Sequence, residues 1–184
     1  MAMPADFWTR WRVRAGYPLA LVYIWLATPT AGAVALGAGV AVAGLIVRGA
    51  AAGYLRKGEA LAMSGPYART RNPLYFGSAL LAAGFAVESH SWMAAALVAA
   101  YFLGFYPAVM KREEEDLRAC YRREFYEYAA HVPLFWPRLS AFEAPAGSEA
   151  RFSWAQYRRN REYQAALGFL FAQALVVMRM FWRG

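Results

Sequence analysis

The longest apolar stretch of the chain covers residues 15–47 and contains no Lys, Arg, His, Asp or Glu. A single helix crosses the hydrocarbon of a bilayer with about 20 residues, so this stretch is too long for one crossing. Thr28, Pro29 and Thr30 interrupt it. Proline removes a backbone donor and restricts the residue before it. The pattern therefore predicts two antiparallel helices joined by a tight turn.

Three further apolar segments predict three more crossings. They cover residues 73–87, 92–110 and 165–178. The hydrophobic content is 60%, against roughly 45 to 50% in soluble domains. The charged fraction is 17%, against about 25% in such domains. We expect an all-α integral membrane bundle with about five transmembrane helices, forming one domain over residues 1–184.

The polar segments between and after these spans have patterns of their own. Residues 111–130 repeat apolar side chains at steps of three and four, which predicts an amphipathic helix directly after the fourth span. Residues 143–148 have the composition of a linker. Residues 152–163 are basic and aromatic and favour an interfacial anchor helix, with a lid over a lipid-side entrance as the alternative. With the last span, they form a C-terminal portion over 150–184.

The positions of Lys and Arg predict the orientation. They are concentrated in residues 10–14, 48–71 and 111–161, which fall on one side of a bundle with five crossings. The opposite loops, 28–30 and 88–91, contain neither. Because Lys and Arg near span ends favour the cytoplasmic side, we expect the amino terminus and any active site to face the cytoplasm of a bacterial-type inner membrane.

Composition also argues against several classes of site. The net charge of +8 is best explained by arginines close to anionic lipid headgroups, and we expect no nucleic-acid partner. No cleavable signal peptide is indicated after the Trp- and Arg-rich amino terminus. Cys120 is the only cysteine, so we expect no internal disulfide and no metal site.

Residues 65–137 contain three ordered motifs. They read Gly65-Pro66-Tyr67-x-x-x-Arg71-Asn72-Pro73-x-Tyr75-x-Gly77, Glu113-Glu114-x-x-Leu117, and Tyr128-x-x-x-Val132-Pro133-x-x-x-Pro137. In order and spacing this motif core resembles the isoprenylcysteine carboxyl methyltransferase and phospholipid methyltransferase superfamily. The resemblance implies an integral membrane methyltransferase that binds S-adenosyl-L-methionine at the cytosolic ends of its carboxy-terminal helices, without a Rossmann domain.

The resemblance and the side-chain chemistry together define a candidate site. Arginine is suited to a carboxylate, glutamates accept from an ammonium or ribose hydroxyls, and tyrosine rings pack on adenine or a sulfonium. The candidate cofactor-binding residues are Gly65, Tyr67, Arg71, Asn72, Tyr75, Gly77, Glu113, Glu114, Tyr128 and Pro133. The candidate catalytic residues are Arg71, Glu114 and Arg112. We favour Glu113 over Glu115 as a ligand, because Glu113 shares the inward face with Leu117.

Three positions depart from the family pattern. Asn72 stands where the family usually has histidine, Arg122 where it usually has glycine, and Phe125 where it usually has tyrosine. Asparagine still donates and accepts hydrogen bonds but does not titrate near neutral pH. Cofactor contact at position 72 is therefore retained in this interpretation, whereas a proton relay through it is not.

The methyl acceptor is open at this stage. An isoprenylcysteine-type carboxylate, which we favour, needs a positioning cation such as Arg69 or Arg112, and a phospholipid amine needs a base such as Glu59 or Glu114. The acceptor is lipid-like or hydrophobic in either case and enters from the bilayer. A non-catalytic lipid-binding scaffold is the rival from another class, motivated by Asn72 and Arg122, and a transporter is disfavoured because the spans contain no ionisable groups except near their ends.

Overall fold

The computed structural model describes residues 6–145 and 150–183, and every regular element within these ranges is helical. The α-helices are α1 (Asp6–Leu26), α2 (Ala31–Tyr54), α3 (Pro73–Glu88), α4 (Trp92–His131), α5 (Trp154–Arg159) and α6 (Tyr163–Arg183). A 3₁₀ helix covers Gly65–Ala68. The predicted all-α membrane class is confirmed.

Each predicted crossing coincides with one helix. Among the described residues, α2, α4 and α6 are long and apolar enough to cross a membrane. Helix α3 is apolar but has only 16 residues. Helix α1 has 21 residues and does not belong to these three. Three of the five expected crossings therefore have a helix of spanning length and composition.

The helices begin and end where the local sequence offers caps and breakers. Helix α1 ends before the predicted turn, and α2 begins just after Thr30. The Thr30 hydroxyl accepts a hydrogen bond from the Ala33 amide at 3.3 Å, as an N-cap does. Ser153 caps α5 in the same way through the Gln156 amide at 3.4 Å. The predicted turn at residues 28–30 is confirmed.

The chain divides into two compact units. The first lies within Met1–Val42, Ala79–Lys111 and Phe169–Gly184. Its buried residues include Tyr23, Val98 and Val176. The Tyr23 hydroxyl donates to the Phe85 carbonyl at 2.7 Å, which satisfies the one polar atom of this side chain among its apolar neighbours.

The second unit is formed by Ala43–Ser78 and Arg112–Gly168, and it contains every candidate site residue. Its core consists of Leu61, Met63, Phe125, Tyr128 and Val132, with Leu117 and Tyr121 packed against it. The apolar face predicted for residues 111–130 is therefore the buried face of this unit.

Helix α4 differs from the expectation of a separate amphipathic helix after the fourth span. Its 40 residues form two helical parts joined by a kink at Arg122, whose φ of 32° and ψ of −105° are not helical. The helix continues past Lys111 because the charged residues that follow are good helix formers. The backbone angles of Arg122 are essentially restricted to glycine. The family's usual glycine at this position thus has a physical reason, and this chain places a strained arginine there.

The C-terminal segment before α6 is attached to the end of α2. The side-chain amide of Asn160 donates to the carbonyls of Ala52 and Leu55, both at 2.9 Å. It thereby pairs two of the carbonyls that a helix leaves free at its end. The Ser153 amide donates to the Gly53 carbonyl at 3.0 Å. These contacts favour an anchored segment over a lid. Half of the predicted linker, residues 146–148, lies outside the described residues.

Candidate active site

The motif loop, which covers residues 65–75 and includes the start of α3, begins at Gly65, whose φ of +61° favours glycine. A Cβ at this position would also lie 2.6 Å from the Tyr54 ring. Pro66 follows in the first turn of the 3₁₀ helix, where its missing amide hydrogen has no consequence. Gly65 therefore shapes the loop through its backbone.

The end of the motif loop pairs with the segment that follows α4. The Arg71 amide donates to the Pro133 carbonyl at 2.9 Å, and the Arg138 amide donates to the Arg69 carbonyl at 2.9 Å. The Asn72 side chain donates to the Leu134 carbonyl at 3.0 Å. In place of the family's usual histidine, Asn72 therefore holds the loop backbone. Pro133 contributes its carbonyl to the same pairing.

The Arg71 side chain is the centre of this arrangement. Its Nη2 lies 2.7 Å from Glu114 Oε1, and the two side chains are only 14% and 12% exposed. Its Nη1 donates to the carbonyls of Ala129 at 2.9 Å and Val132 at 3.2 Å, near the end of α4. The guanidinium also lies over the Phe125 ring. Arg71 thus joins the motif loop to both the acidic segment, residues 113–116, and the end of α4.

One donor of Arg71 has no partner. Its Nε is the single buried side-chain nitrogen or oxygen without a hydrogen bond among the residues that the structure describes. An unpaired buried donor is unfavourable unless a ligand or water satisfies it. This atom marks a position where an acceptor group from outside the protein would be stabilised.

Glu113 contacts the other side of the motif loop. Its Oε1 accepts from the Tyr75 hydroxyl at 2.6 Å. Glu113 is exposed and has no basic side chain within ion-pair distance in the described part of the chain. The expected preference for Glu113 over Glu115 agrees with this contact, but Glu114 is the more buried acid. Arg112 is exposed, and the described residues offer it no polar partner.

Tyr67 and Tyr128 are buried together. The Tyr128 hydroxyl donates to the Tyr67 carbonyl at 2.7 Å, so Tyr128 supports the loop. The Tyr67 hydroxyl forms no hydrogen bond with a described residue but, unlike Arg71 Nε, it is not fully buried. Burial raises the pKa of Tyr67 far above its ordinary value, and Tyr128 and Glu113 raise it further. Tyr67 is therefore a neutral hydroxyl at physiological pH, able to donate to a ligand.

Gly77 lies apart from this group. A Cβ there would be 2.7 Å from the Gly44 carbonyl oxygen, so the glycine allows α3 to approach α2 closely. The sequence assigned Gly77 to the cofactor, whereas its contacts in the structure are helix packing. All the candidates, Gly77 included, belong to the second unit, and Arg112 lies at its surface.

Sequence reasoning missed the buried ion pair between Arg48 and Glu162. Arg48 Nε lies 2.6 Å from Glu162 Oε1, and Nη2 donates to Oε2 at 3.1 Å. Arg48 also donates to the Leu74 carbonyl and the Ser78 hydroxyl in α3. The pair thereby connects the C-terminal segment to the helix that carries Tyr75. Its only signal in the sequence was an acid within an otherwise basic segment.

The helical membrane fold and the convergent Arg, Glu and Tyr side chains define a membrane protein whose polar site lies at the ends of its apolar helices. A family model described as phospholipid methyltransferase matches residues 11–124, and the chain belongs to this family. The match confirms the expected superfamily. It covers the motif loop and the acidic segment, whereas Tyr128, Pro133 and Glu162 lie beyond its end.

Two curated relatives align with about half of the chain. The cobalt-zinc-cadmium resistance protein CzcN of Cupriavidus metallidurans is 39% identical over 87 residues, which are 47% of this chain and 40% of the relative. The nickel-cobalt-cadmium resistance protein NccN of Alcaligenes xylosoxydans xylosoxydans is 37% identical over 89 residues, 48% of this chain and 41% of the relative. The aligned part of the chain thus spans less than half the length of either relative, and neither name states a methyl acceptor. No solved structure matches the chain.

Proposed function

We propose that the protein is an S-adenosyl-L-methionine-dependent membrane methyltransferase that acts on a lipid-borne acceptor. Membership of the phospholipid methyltransferase family supports methyl transfer. One observation carries the proposal for the site. The Arg71–Glu114 pair at 2.7 Å and the Tyr75–Glu113 hydrogen bond at 2.6 Å bring the motif loop and the acidic segment together within one compact unit.

The described residues fit the cofactor's groups. The unpaired Nε of Arg71 suits an acceptor such as a carboxylate oxygen. Glu113 has no basic partner among the described residues, so one of its carboxylate oxygens is available to a ribose hydroxyl of the cofactor. The rings of Tyr67 and Tyr75 offer faces for adenine or a sulfonium, and a cation-π contact contributes about 0.5–2 kcal/mol. The bound cofactor supplies an activated methyl group on its sulfonium.

The remaining candidates act mainly by fixing these groups. Asn72, Pro133 and Tyr128 hold the motif loop by hydrogen bonds, and Gly65 gives the loop its turn. Gly77 sets the position of α3. In methyl transfer by in-line displacement the protein chiefly holds donor and acceptor in line and excludes water. Rigid support of this kind is therefore directly useful to the reaction.

The charges at the site favour an amine acceptor over a carboxylate. An amine must lose a proton, and Glu113 is a carboxylate without a basic partner in the described structure. A carboxylate acceptor needs a cation, but in the described structure neither Arg69 nor Arg112 forms a hydrogen bond or ion pair with Glu113 or Glu114. Glu59, the other base suggested by the sequence, is paired with Arg159. The second unit would face the cytoplasm, as the distribution of Lys and Arg predicts.

The test is methyl transfer by the purified protein in lipid nanodiscs. Radiolabelled donor is supplied with long-chain lipids that carry an amine headgroup or an isoprenylcysteine carboxylate. We expect label in the amine class. Glu113→Gln should lower the rate by about 10²-fold or more, as removal of a general base does. Label only in the carboxylate class would overturn the preference for an amine.

The matched control is Glu115→Gln, two residues along the same helix. Glu115 is exposed and has no polar partner among the described residues, so this variant should retain the wild-type rate. Calorimetric titration with the donor separates the enzyme from a scaffold. A wild-type protein that is folded but neither binds the donor nor transfers label would establish the non-catalytic alternative.

A further inference from the structure

Residues 132–142 form a loop that is anchored in the core by Val132 and exposes three large apolar side chains. We refer to this segment as the 132–142 loop. Leu139 is 94% exposed, Trp136 is 74% exposed and Leu134 is 37% exposed. Three large apolar side chains on one short segment are unfavourable in water. The position of the loop directly after α4 places them next to the candidate site.

The loop is held rigidly, so this exposure is a fixed feature. The Phe142 amide donates to the Ala68 carbonyl at 2.8 Å, which adds to the two backbone pairs described above. The Thr70 hydroxyl donates to the Phe135 carbonyl at 2.9 Å. The Trp136 ring contacts the Phe76 ring edge to face, with centroids 6.2 Å apart. The apolar side chains are thus presented on an ordered support.

Two arginines, Arg69 and Arg138, lie at the base of the loop. Arg69 donates to the Leu139 carbonyl, and Arg138 donates to the His131 carbonyl at 2.6 Å and to the Ser140 hydroxyl at 2.7 Å. Neither has a carboxylate within ion-pair distance in the described part of the chain. An apolar tip above two unneutralised guanidiniums is complementary to a bilayer surface, where acyl chains lie beneath anionic phosphates.

We propose that the 132–142 loop inserts Leu134, Trp136 and Leu139 into the acyl boundary of an anionic bilayer, with Arg69 and Arg138 at the phosphates. The loop is joined to Arg71 and Asn72 by hydrogen bonds, so a lipid beside it presents its headgroup to the candidate site. The loop therefore selects acceptors that carry a long apolar chain. Insertion stands independently, whereas this selection rests on the proposed function.

Insertion is tested by placing a fluorophore on the loop. Cys120 is the only cysteine, so Cys120→Ser gives a background for single labels. An environment-sensitive dye is attached to Leu139→Cys, with exposed Glu124→Cys as the matched control. In nanodiscs of phosphatidylglycerol and brominated phosphatidylcholine, the Leu139 label should be blue-shifted and quenched, and the Glu124 label should not. A water-like spectrum without quenching at residue 139 refutes insertion.

Selection is tested with two amine acceptors that share a headgroup but differ in chain length. Leu139→Gln should raise KM for the long-chain acceptor about tenfold or more, since one leucine contact with lipid is lost, and leave the short-chain acceptor unchanged. Equal losses for both acceptors refute selection. A wild type that methylates neither refutes the proposed function and selection together, while the labelling result still decides insertion.

Discussion

Arg122 provides a direct test of the strain described in α4. Its backbone, at φ 32° and ψ −105°, is in a region that only glycine adopts readily. Such a residue costs about 1–3 kcal/mol. Replacement by glycine removes this strain but adds about 0.5–1 kcal/mol of backbone entropy. We therefore expect Arg122→Gly to raise the free energy of unfolding by about 1 kcal/mol.

The assay is urea unfolding in detergent micelles, followed by circular dichroism. Arg123→Gly is the matched control, because Arg123 is the next residue of the helix and pairs with Glu127 at 2.9 Å. This variant introduces glycine into regular helix and loses a surface pair, so it should be destabilised by about 1 kcal/mol. If both variants lose stability equally, Arg122 is not strained and the account of the kink is wrong.

The remaining predictions concern Arg71 and Gly77. Arg71→Met should lower the free energy of unfolding by about 3 kcal/mol, because it removes the buried partner of Glu114 and leaves only the half-exposed Arg118 near that carboxylate. Arg118→Met removes a half-exposed partner 3.4 Å from the same carboxylate and should change the free energy of unfolding by less than about 1 kcal/mol. Similar losses of stability in Arg71→Met and Arg118→Met would contradict the central position of Arg71. In thermal unfolding, Gly77→Ala should be destabilised by about 1–3 kcal/mol through its contact with α2. Gly104→Ala, where a Cβ meets open space, should be neutral or more stable, and a harmless Gly77→Ala would exclude the close approach.

The sequence predicted the helices and the convergence of the motifs because both follow local patterns. Apolar runs and a proline-centred break define the spans, and the step of three and four residues identified the buried face with Phe125 and Tyr128. It was also correct that Arg71 and the acidic segment come together. Which acid is more buried was less predictable. Neighbouring residues of a helix differ by about 100° in direction. When the protein interior lies between the directions of Glu113 and Glu114, a small rotation of the helix decides which side chain is more buried.

Contacts between residues that are far apart in the sequence could not be predicted from such local patterns. Arg48 and Glu162 are 114 positions apart, and neither lies in a sequence motif that predicts an ion pair. Likewise, the sequence suggested that Arg71 binds a ligand carboxylate, but most of its donors hold carbonyls and Glu114. One side chain often serves the fold and the site together. Its residue type shows the chemistry it is capable of, while tertiary packing determines how many of its donors remain available.

The backbone pairing between the motif loop and the 132–142 loop has a consequence for hydrogen exchange. The amides of Arg71, Arg138 and Phe142 are donors in three bonds that join the same two segments. None of these amides reaches solvent until the segments separate. Separation also breaks the hydrogen bonds from the Arg71 guanidinium to the carbonyls at the end of α4. The three amides should therefore show one common free energy of opening in hydrogen exchange, once their intrinsic exchange rates are taken into account, as a single cooperative unit.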